Sequence, residues 1–516
     1  MRFPGLSKLV SMRDGVAATL SHRQGFLLAL AGYLSLVYVV RVFLFAGASE
    51  DDAEQMIYGQ LWAWGYKPAQ PPLYSWLVMA FQSVIGVGIP AVETLKFLTL
   101  FALYAFYYLA AAEILDDRRL AGLATLTLLG FFFMAWDVVI NYSHTVLLGA
   151  SMAGALWAVV RLRRSAGIGA YAGLGLSIGI GLLSKYNFVL FLVALLAAAA
   201  ADPTLRRRLL GWRVGLSVII AAAVAAPFYV WFLGAPDGLA SAQVSATPFP
   251  HSESYLKDAA TGVFAVLRGV VSIVLPGVAM MALAFPRAWR RGPSETDLRR
   301  FLEIYFVVLA LLVFALVIGL RVTSIQNHWL LVVMPLPIYG FLKIAESRPT
   351  NARLSGYAGV MCALALVVPL ALVFRFFTGP SYCKKCNFFM PYAALSDQIM
   401  ATGFRRGTIV AFDNPHQLGG NLRRFFPEVR VVSPRYVPFV PPLNAEPGDC
   451  LIVWNTVRGD DMMKEGSVHV FLRQYLKMPP PPSYRLRFAE AEIPGSNGKR
   501  ARLGYVLIDG GSGECR

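Results

Sequence analysis

The sequence predicts a mostly α-helical polytopic membrane protein with a small α/β domain at its C-terminal end. Of its 516 residues, 57% are hydrophobic and 15% are charged, whereas soluble domains carry about a quarter charged residues. Apolar runs long enough to cross a bilayer as helices recur from Gly25 onward. Beyond about residue 375 the composition becomes mixed and rich in Pro and Gly. We therefore expect a transmembrane domain over residues 1–374 and an α/β domain over residues 375–516.

The apolar runs and the charges between them predict about eleven transmembrane helices. Clear runs cover approximately residues 25–46, 91–114, 120–140, 144–160, 168–184, 214–233, 301–320 and 354–374, and three more end near Arg206, Arg287 and Lys343. Under this count the basic loops all fall on one side, as the positive-inside rule requires. The segments 53–64 and 72–87 are expected to be helices lying on the outer, periplasmic surface. Making 72–87 a span would move every later Arg cluster to the opposite side.

The net charge of +17 raises the question of a nucleic-acid partner. Most basic residues stand in short loops between apolar runs, which is the pattern of cytoplasmic loops and not of a phosphodiester-binding face. The first apolar run is too long for the core of a cleaved signal peptide. We therefore expect it to be retained as the first span, with membrane lipids and not nucleic acid as the surroundings.

An acidic cluster directly after the first span is the strongest candidate for a functional site. Glu50, Asp51, Asp52 and Glu54 follow the apolar run that ends at Ala46. Ionisable groups at a membrane boundary are costly to place in hydrocarbon, and they often mark a functional site. The alternative is a solvated loop, or a carboxylate that merely caps a helix.

Aromatic residues follow the acidic cluster at high density. They include Tyr58, Trp62, Trp64 and Tyr74, the last of these in the stretch Pro-Pro-Leu-Tyr-Ser-Trp-Leu at 71–77. Trp and Tyr at this density are typical of a membrane–water interface. Stacking on a sugar ring is the alternative role for Tyr58 and the two tryptophans.

The other outer loops contribute mainly cations. His144, Lys185, Arg321 and His328 all come at predicted outer ends of spans, and Arg41 lies near the outer end of the first one. A carboxylate can act as general base on an acceptor hydroxyl or amine, while cations can stabilise a departing lipid phosphate. This set favours transfer of a group, for example a sugar, from a lipid-phosphate donor. A transporter or flippase of lipid-linked sugars is the alternative, although its ionisable groups should lie near the bilayer midplane.

The first loop resembles that of the GT-C fold glycosyltransferases. The likeness rests on Asp-Asp-Ala-Glu-Gln at 51–55, Gly-Tyr at 65–66 and Gln-Pro-Pro-Leu-Tyr-Ser-Trp-Leu at 70–77. It is to the branch that contains protein O-mannosyltransferases and the bacterial lipid A aminoarabinose transferase. Weaker likenesses follow at the Ser184-Lys185 step and at His328-Trp329, so that the resemblance covers roughly residues 25–345.

The resemblance implies a GT-C type enzyme of the bacterial inner membrane with a periplasmic active site. It implies a polyprenyl-phosphate sugar donor, an inverting mechanism and a periplasmic C-terminal domain. By position, Asp51 matches the catalytic aspartate of the family, Asp52 its acidic neighbour, and Lys185 a lysine near the donor phosphate. The acceptor is expected to be lipid A, lipopolysaccharide or another envelope glycan, and neither the sugar nor the acceptor follows from the sequence.

Two departures from the family pattern affect the expected binding site. This chain has Ala69-Gln70 where the aminoarabinose branch has Glu-Lys, and Lys67 could supply the missing cation. It has His144 where the branch often has an aspartate. Glu54 and Tyr74 complete the predicted substrate-binding set. A divalent metal held by Asp51, Asp52 and Glu54 is possible, although members of this branch need not use one.

Five cysteines are distributed unevenly along the chain. Cys383 and Cys386 form a C-x-x-C motif, and Cys362, Cys450 and Cys515 stand alone in the sequence. Without a second C-x-x-C, a structural zinc site is not expected. In a periplasmic domain the close pair could form a disulfide, or it could act as a redox pair. Alternating apolar patterns predict strands at 407–412, 429–432, 450–454, 484–488 and 503–508, with a helix at 415–426.

Overall fold

The structure is a computed structural model that describes residues 22–66, 70–234, 252–290, 296–383, 386–412, 417–434, 440–443 and 446–516. It divides into two compact units. The first unit comprises Met1–Ser35, Pro68–Pro71 and Leu98–Val368, and the second comprises Leu36–Lys67, Pro72–Phe97 and Pro369–Arg516. The second unit therefore combines the C-terminal region with the acidic first loop and the apolar segment after it.

Helices make up most of the chain as far as residue 382. In chain order they are α1 (Arg23–Leu44), α2 (Glu50–Tyr58), α3 (Leu73–Ile85), α4 (Ile89–Leu115), α5 (Arg118–Thr127), α6 (Ser143–Arg164), α7 (Ile168–Leu182), α8 (Phe188–Ala201), α9 (Pro203–Leu209), α10 (Val214–Gly234), α11 (Tyr255–Ala284), α12 (Asp297–Gly319), α13 (Leu336–Glu346) and α14 (Asn351–Tyr382). Shorter helical turns extend α5 as far as Ile140, and a 3-10 turn, Asn327–Val333, precedes α13.

Apolar helices occupy all the positions at which spans were predicted. Within the described residues, eight segments are long and apolar enough to cross a membrane, or up to ten if each of two bent pairs is one span. The bent pairs are Arg118–Gly130 with Phe133–Ile140, at 85°, and Phe188–Ala201 with Pro203–Leu209, at 114°. The predicted span at 168–184 is the shorter helix α7, which has 15 residues. The polytopic α-helical fold is thus confirmed.

Ion pairs gather one set of helix ends within the first unit. Arg163 contacts both Asp202 and Asp297, at 2.9 and 2.6 Å, and Arg164 contacts Glu113 and Asp116 at 3.0 and 2.9 Å. These residues come from four of the loops and helix ends that the basic pattern assigns to a common side. The contacts therefore agree with the predicted alternation of the spans.

The C-terminal part of the second unit is a small α/β domain. Its helices are α15 (Tyr392–Met400), α16 (Gln417–Arg423) and α17 (Gly466–Gln474), and its strands are β1 (Gly407–Phe412), β2 (Arg430–Val432), β3 (Asp449–Asn455), β4 (Arg487–Glu492) and β5 (Arg500–Ile508). The sheet order is β2-β1-β3-β5-β4. Strand β1 is parallel to β2 and β3, and β5 is antiparallel to β3 and β4. All five predicted strands are present, with the fourth displaced towards the C-terminus.

Two disulfides stabilise this domain, and only one of them was foreseen. Cys383 is bonded to Cys386, as the close spacing allows. Cys450, on β3, is bonded to Cys515, a pairing that the sequence analysis did not propose. Both sulfur atoms lie in the core that Trp454 and Phe471 form between the sheet and α17. Among the described cysteines, Cys362 is free.

The two helices expected on the outer surface differ from the prediction. The first begins at Glu50 and ends at Tyr58, and not at 53–64. It is buried from Asp52 to Tyr58 because α16 packs against it. The second, α3, has 13 residues and buries Tyr74, Ser75, Val78 and Gln82. An amphipathic surface helix is therefore the wrong description of α2, which lies inside the second unit.

Candidate active site

The acidic cluster forms the first turn of α2 and not a loop. Ser49 is the N-cap residue: its hydroxyl oxygen accepts from the Asp52 backbone N–H at 3.2 Å, and its hydroxyl donates to Asp52 Oδ2 at 2.5 Å. This reciprocal pair is a variant of the capping box. Carboxylates in a first helical turn also interact favourably with the positive end of the helix dipole. The sequence Ser-Glu-Asp-Asp therefore starts a helix at this point.

Asp52 lies in a buried network of charges. Lys96 Nζ, on α4, donates to Asp52 Oδ2 at 2.7 Å and lies 3.3 Å from Glu93 Oε2. Arg41 Nε, near the end of α1, lies 3.0 Å from Glu93 Oε1. All four side chains are at most 1% exposed. Because each buried charge has an opposite neighbour, the network can be stable where a single charge could not be.

The two neighbouring aspartates have different surroundings. Burial alone would raise the pKa of the Asp52 carboxyl, but the charges of Lys96 and Arg41 outweigh burial and hold that pKa below its ordinary value. Asp52 is thus a buried carboxylate whose Oδ2 is engaged by both Lys96 and Ser49. Asp51, one residue earlier on the helix, is only partly buried. Of the pair, Asp51 is the residue that keeps solvent-exposed surface.

C-terminal residues hold the loop before α2 in place. The Ala48 N–H donates to Asn421 Oδ1, on α16, at 2.9 Å, and the Gly47 N–H donates to the Phe388 carbonyl at 3.1 Å. Arg424 also donates to the Ala46 carbonyl, at 2.6 Å. These bonds fix the N-cap of α2, and with it the direction of Asp51.

A glycine allows α16 to approach α2 closely. A Cβ atom on Gly420 would lie 2.0 Å from the Ala53 carbonyl oxygen. No side chain is tolerated at that distance, because the obstacle is backbone. The close approach explains why the residues after Asp52 are buried, and it depends on a glycine that lies more than 360 residues further along the chain.

The two parts of the first-loop motif contact each other. Ser75 Oγ, on α3, donates to Gln55 Oε1, on α2, at 2.6 Å. Tyr74 is fully buried, and the charges of Asp52, Glu93 and Asp51 all act on its phenol group. The acidic stretch and the Pro-Pro-Leu-Tyr-Ser stretch thus form one structure, and Tyr74 lies buried within it.

Three tryptophans form a cluster near this site. Trp62 stacks on Trp76 with ring centroids 5.8 Å apart, and Trp64 lies edge-on to Trp62 at 4.6 Å. Trp62 and Trp64 are 45% and 40% exposed, as suits an interfacial anchor. Tyr58 is buried, and its ring is tilted against that of Tyr66 with centroids 4.9 Å apart. The aromatic stretch therefore divides into exposed tryptophans, which suit a membrane interface, and the buried Tyr58, which does not.

Several predicted cations gather in the first unit. Lys185 Nζ donates to Thr145 Oγ1 at 2.8 Å, and Thr145 directly follows His144 at the start of α6. The His328 ring lies 5.0 Å from the ring of Tyr142, and Lys185 is near enough to act on it electrostatically. His144, Lys185 and His328 thus come from three separated segments to one region of the first unit. His144 itself is buried within α6 and not on an open turn.

The remaining predicted residues have other positions. Arg321 forms a 2.6 Å ion pair with Asp258 and also donates to the Ser252 carbonyl, so a structural partner already occupies its guanidinium. Glu54 is buried and accepts from the Tyr58 hydroxyl at 3.5 Å. Its surroundings argue for a role in packing α2. Lys67 lies outside the described residues.

The sequence analysis did not single out Glu93 and Lys96. Both fall in the run 91–114, which was read only as a span. A Glu-x-x-Lys pair inside an apolar run was the available signal, because charges within a membrane segment are rare and pair with one another. What the spacing could not show is that Asp52 is the third member of the network.

The described residues contain no group of three His, Cys, Asp or Glu side chains arranged to hold a metal ion. Asp51, Asp52 and Glu54 therefore do not form the cluster that the sequence analysis left open. All three lie on one short helix, and Asp52 is already bonded to Lys96. The divalent metal that was considered possible finds no ligand set in this part of the chain.

The fold is that of the GT-C membrane glycosyltransferases. Two crystal structures of ArnT from Cupriavidus metallidurans superpose on the chain, one bound to undecaprenyl phosphate and one in the apo state, with TM-scores of 0.60 and 0.61. They cover 93% and 94% of this chain and 98% of the solved chain, at 14% and 13% sequence identity. Residues 69–231 also match the model of the dolichyl-phosphate-mannose-protein mannosyltransferase family.

Sequence comparison places the chain more narrowly. It is 30% identical to the lipopolysaccharide core galacturonosyltransferase RgtB of Rhizobium johnstonii, over 93% of this chain and 96% of that protein. It is also 30% identical to RgtA of the same organism, over 83% and 86% of the two chains. The chain belongs to the family of these two galacturonosyltransferases and is a membrane glycosyltransferase. The resemblance seen in the first loop is thereby confirmed, and the transporter alternative is set aside.

Proposed function

We propose that the protein transfers a galacturonosyl residue from a polyprenyl-phosphate carrier to the core oligosaccharide of lipopolysaccharide, on the periplasmic face of the inner membrane. The sugar and the acceptor are taken from the names of the two Rhizobium relatives. The carrier follows from the first-loop resemblance, and it is supported by the similar fold of a protein crystallised with undecaprenyl phosphate.

In the proposed mechanism Asp51 is the general base. It accepts the proton of an acceptor hydroxyl while that oxygen forms a bond to C1 of the donor sugar. The bond between C1 and the phosphate oxygen breaks, and the lipid phosphate leaves with the bonding electrons. Attack opposite the leaving group inverts the configuration at C1 through an oxocarbenium-like transition state. General base catalysis of this kind contributes about 10²–10⁴-fold to the rate.

The single observation that carries this assignment is the contrast between the two aspartates. Asp52 is completely buried against Lys96, whereas Asp51 is partly exposed on the same helical turn. Asp52 would therefore act as a positioning residue that fixes the first turn of α2. Lys185 remains the residue that we propose to contact the donor phosphate, and His144 and His328 would support it from the same cluster.

The test uses purified full-length protein, a polyprenyl-phosphate galacturonate donor and a truncated lipopolysaccharide core as acceptor. We expect the wild type to add one galacturonosyl mass and Asp51→Asn to lose about 10²–10⁴-fold in kcat. Glu50→Gln is the matched control, because it removes the neighbouring carboxylate from the same turn. Full activity in Asp51→Asn would remove it as the base, and an unchanged core mass after gene deletion would exclude the proposed acceptor.

A further inference from the structure

A cavity of about 410 Å³ lies within the second unit, away from the first turn of α2. Its walls include Gly59 and Gln60 after α2, Gln82 and Ser83 on α3, and residues around α16 and β2. The volume falls in the range of roughly 300–1,000 Å³ that is typical of small-molecule sites. None of the catalytic or substrate-binding residues that the sequence predicted lines this cavity.

The cavity wall contains the buried guanidinium of Arg423 and, at its exposed rim, the carboxylate of Glu428. Arg423 donates to the carbonyl oxygens of Met56 and Gly59 and to Gln82 Oε1, the last two at 3.3 and 3.1 Å. Burial lowers the pKa of Arg423 to about 10, and Glu428 opposes that shift, so the group is still a cation at neutral pH. A buried cation of this kind is stabilised by an anion.

Further donors in the wall lack partners. Gln82 Nε2, Arg423 Nε and Arg430 Nη2 are buried and form no hydrogen bond within the described part of the chain. Arg430 Nη2 has only a distant ion pair, 3.7 Å from Glu514 Oε2. Two guanidinium groups and an amide in one wall match the planar, two-oxygen geometry of a carboxylate or the oxygens of a phosphate. Met79 and Val87 supply an apolar wall, which suits the C–H face of a sugar ring.

The distance of the cavity from Asp51 indicates which part of the substrate the cavity would bind. Gly59 follows the last turn of α2, and Asp51 lies in the first turn. Eight residues of α-helix separate two such positions by about 12 Å along the axis. A short oligosaccharide can span that distance. We propose that the cavity is an acceptor subsite that binds a carboxylated or phosphorylated sugar of the oligosaccharide, an inference that rests on the proposed function.

The first experiment measures binding by saturation-transfer NMR with the full-length protein in detergent. Galacturonic acid and galactose are the probes, because they differ only in the carboxylate. We expect galacturonate to bind about 10- to 100-fold more tightly, the effect of one charge-assisted contact. Equal affinity for the two sugars, or binding of neither, would overturn an anionic subsite.

Variants of α3 test the location without removing buried hydrogen bonds. Ser83 lines the cavity but is exposed, so Ser83→Trp fills the space with little effect on folding. Val84, which is 85% exposed and does not line the cavity, gives the control Val84→Trp. We expect Ser83→Trp alone to weaken galacturonate binding by at least about tenfold. Arg423→Gln should also weaken binding, although unlike Ser83→Trp it removes the buried hydrogen bonds of that guanidinium. Unchanged binding in Ser83→Trp would contradict the assignment.

Transfer kinetics separate the acceptor from the donor. Ser83→Trp should raise KM for the core acceptor at least about tenfold and leave KM for the donor lipid unchanged. A rise in the donor KM instead would refute the acceptor assignment. If the wild type binds galacturonate in the cavity but transfers no sugar, the proposed function fails while the anionic subsite stands. If the wild type transfers the sugar but does not bind galacturonate in the cavity, the anionic subsite fails while the proposed function stands.

Discussion

Lys96 Nζ lies 2.7 Å from Asp52 Oδ2, with both side chains completely buried. Two segments 44 residues apart are joined by this bond, one carrying the acidic cluster and the other the start of a long apolar helix. The same lysine contacts Glu93, so its positive charge offsets two carboxylates. Asp51 therefore stands beside a rigid group of charges and not on a mobile loop.

Replacing Lys96 should be among the most destabilising single changes in the second unit. Lys96→Met leaves Asp52 and Glu93 buried with one fewer cation, and breaking a buried pair costs about 3–5 kcal/mol. Thermal unfolding in detergent measures the effect. Arg161→Met is the control, because its ion pair with Glu113 is 46% exposed on the Arg side and is worth about 1 kcal/mol or less. A similar loss of thermal stability in both variants would contradict the conclusion that the buried ion pair contributes more than the exposed one.

The depressed pKa of Asp52 predicts a loss of stability in acid. A carboxyl whose folded pKa lies below its unfolded value of about 3.9 contributes stability that is fully present above that value. The contribution is lost as the pH falls through the lower folded pKa. We expect the difference in melting temperature between wild type and Asp52→Asn to narrow below about pH 4. A difference that stays constant from neutral pH into acid would contradict the ion-paired state.

Gly420 should tolerate no side chain. A Cβ atom would meet the Ala53 carbonyl oxygen at 2.0 Å, so Gly420→Ala must push α16 away from α2, at a cost of about 1–3 kcal/mol. We expect lower thermal stability and reduced transfer, because the acidic turn loses its support. Gly466→Ala is the control, since nothing lies within 4 Å of a Cβ there. Equal behaviour of the two variants would argue against the close approach.

The bond between Cys450 and Cys515 should contribute more stability than the other disulfide. It closes a loop of 65 residues, against three for Cys383 and Cys386, and the loop-entropy model gives about 4 kcal/mol for a closure of that length. The double variant Cys450→Ser/Cys515→Ser should melt well below wild type in non-reducing conditions. Cys362→Ser serves as control, and an identical melting temperature in the double variant would count against the bond.

Lys185→Met should weaken donor binding with little effect on folding. Removing one charge-assisted hydrogen bond to a phosphate costs about 1.5–3 kcal/mol, or roughly 10- to 100-fold in the donor KM. Steady-state kinetics with varied donor lipid measure it. Lys257→Met removes an exposed lysine elsewhere in the first unit and should leave KM unchanged. A loss of kcat alone in Lys185→Met would assign the lysine a different role.

Features set by neighbouring residues were predictable from the sequence. The spans follow from apolar runs and the strands from alternation, and the position of Asp51 after the first span is what makes it a candidate. Contacts that join residues far apart in the sequence were not predictable. The salt bridge from Lys96 to Asp52 and the disulfide from Cys450 to Cys515 each need a pairing that no local pattern encodes. The helix at 50–58 was taken for a surface element because α16, the segment that covers it, lies at 417–423.

The support of Ala48 by Asn421 has a consequence for biogenesis. The two residues are 373 positions apart, and a ribosome adds about 5–20 residues per second. The acidic turn must therefore wait about 20–75 s after its own synthesis before the segment that holds it exists. During that interval the nascent chain carries the proposed base in an unassembled form. Any release of the polypeptide before codon 421 would yield a membrane-inserted but catalytically incompetent product.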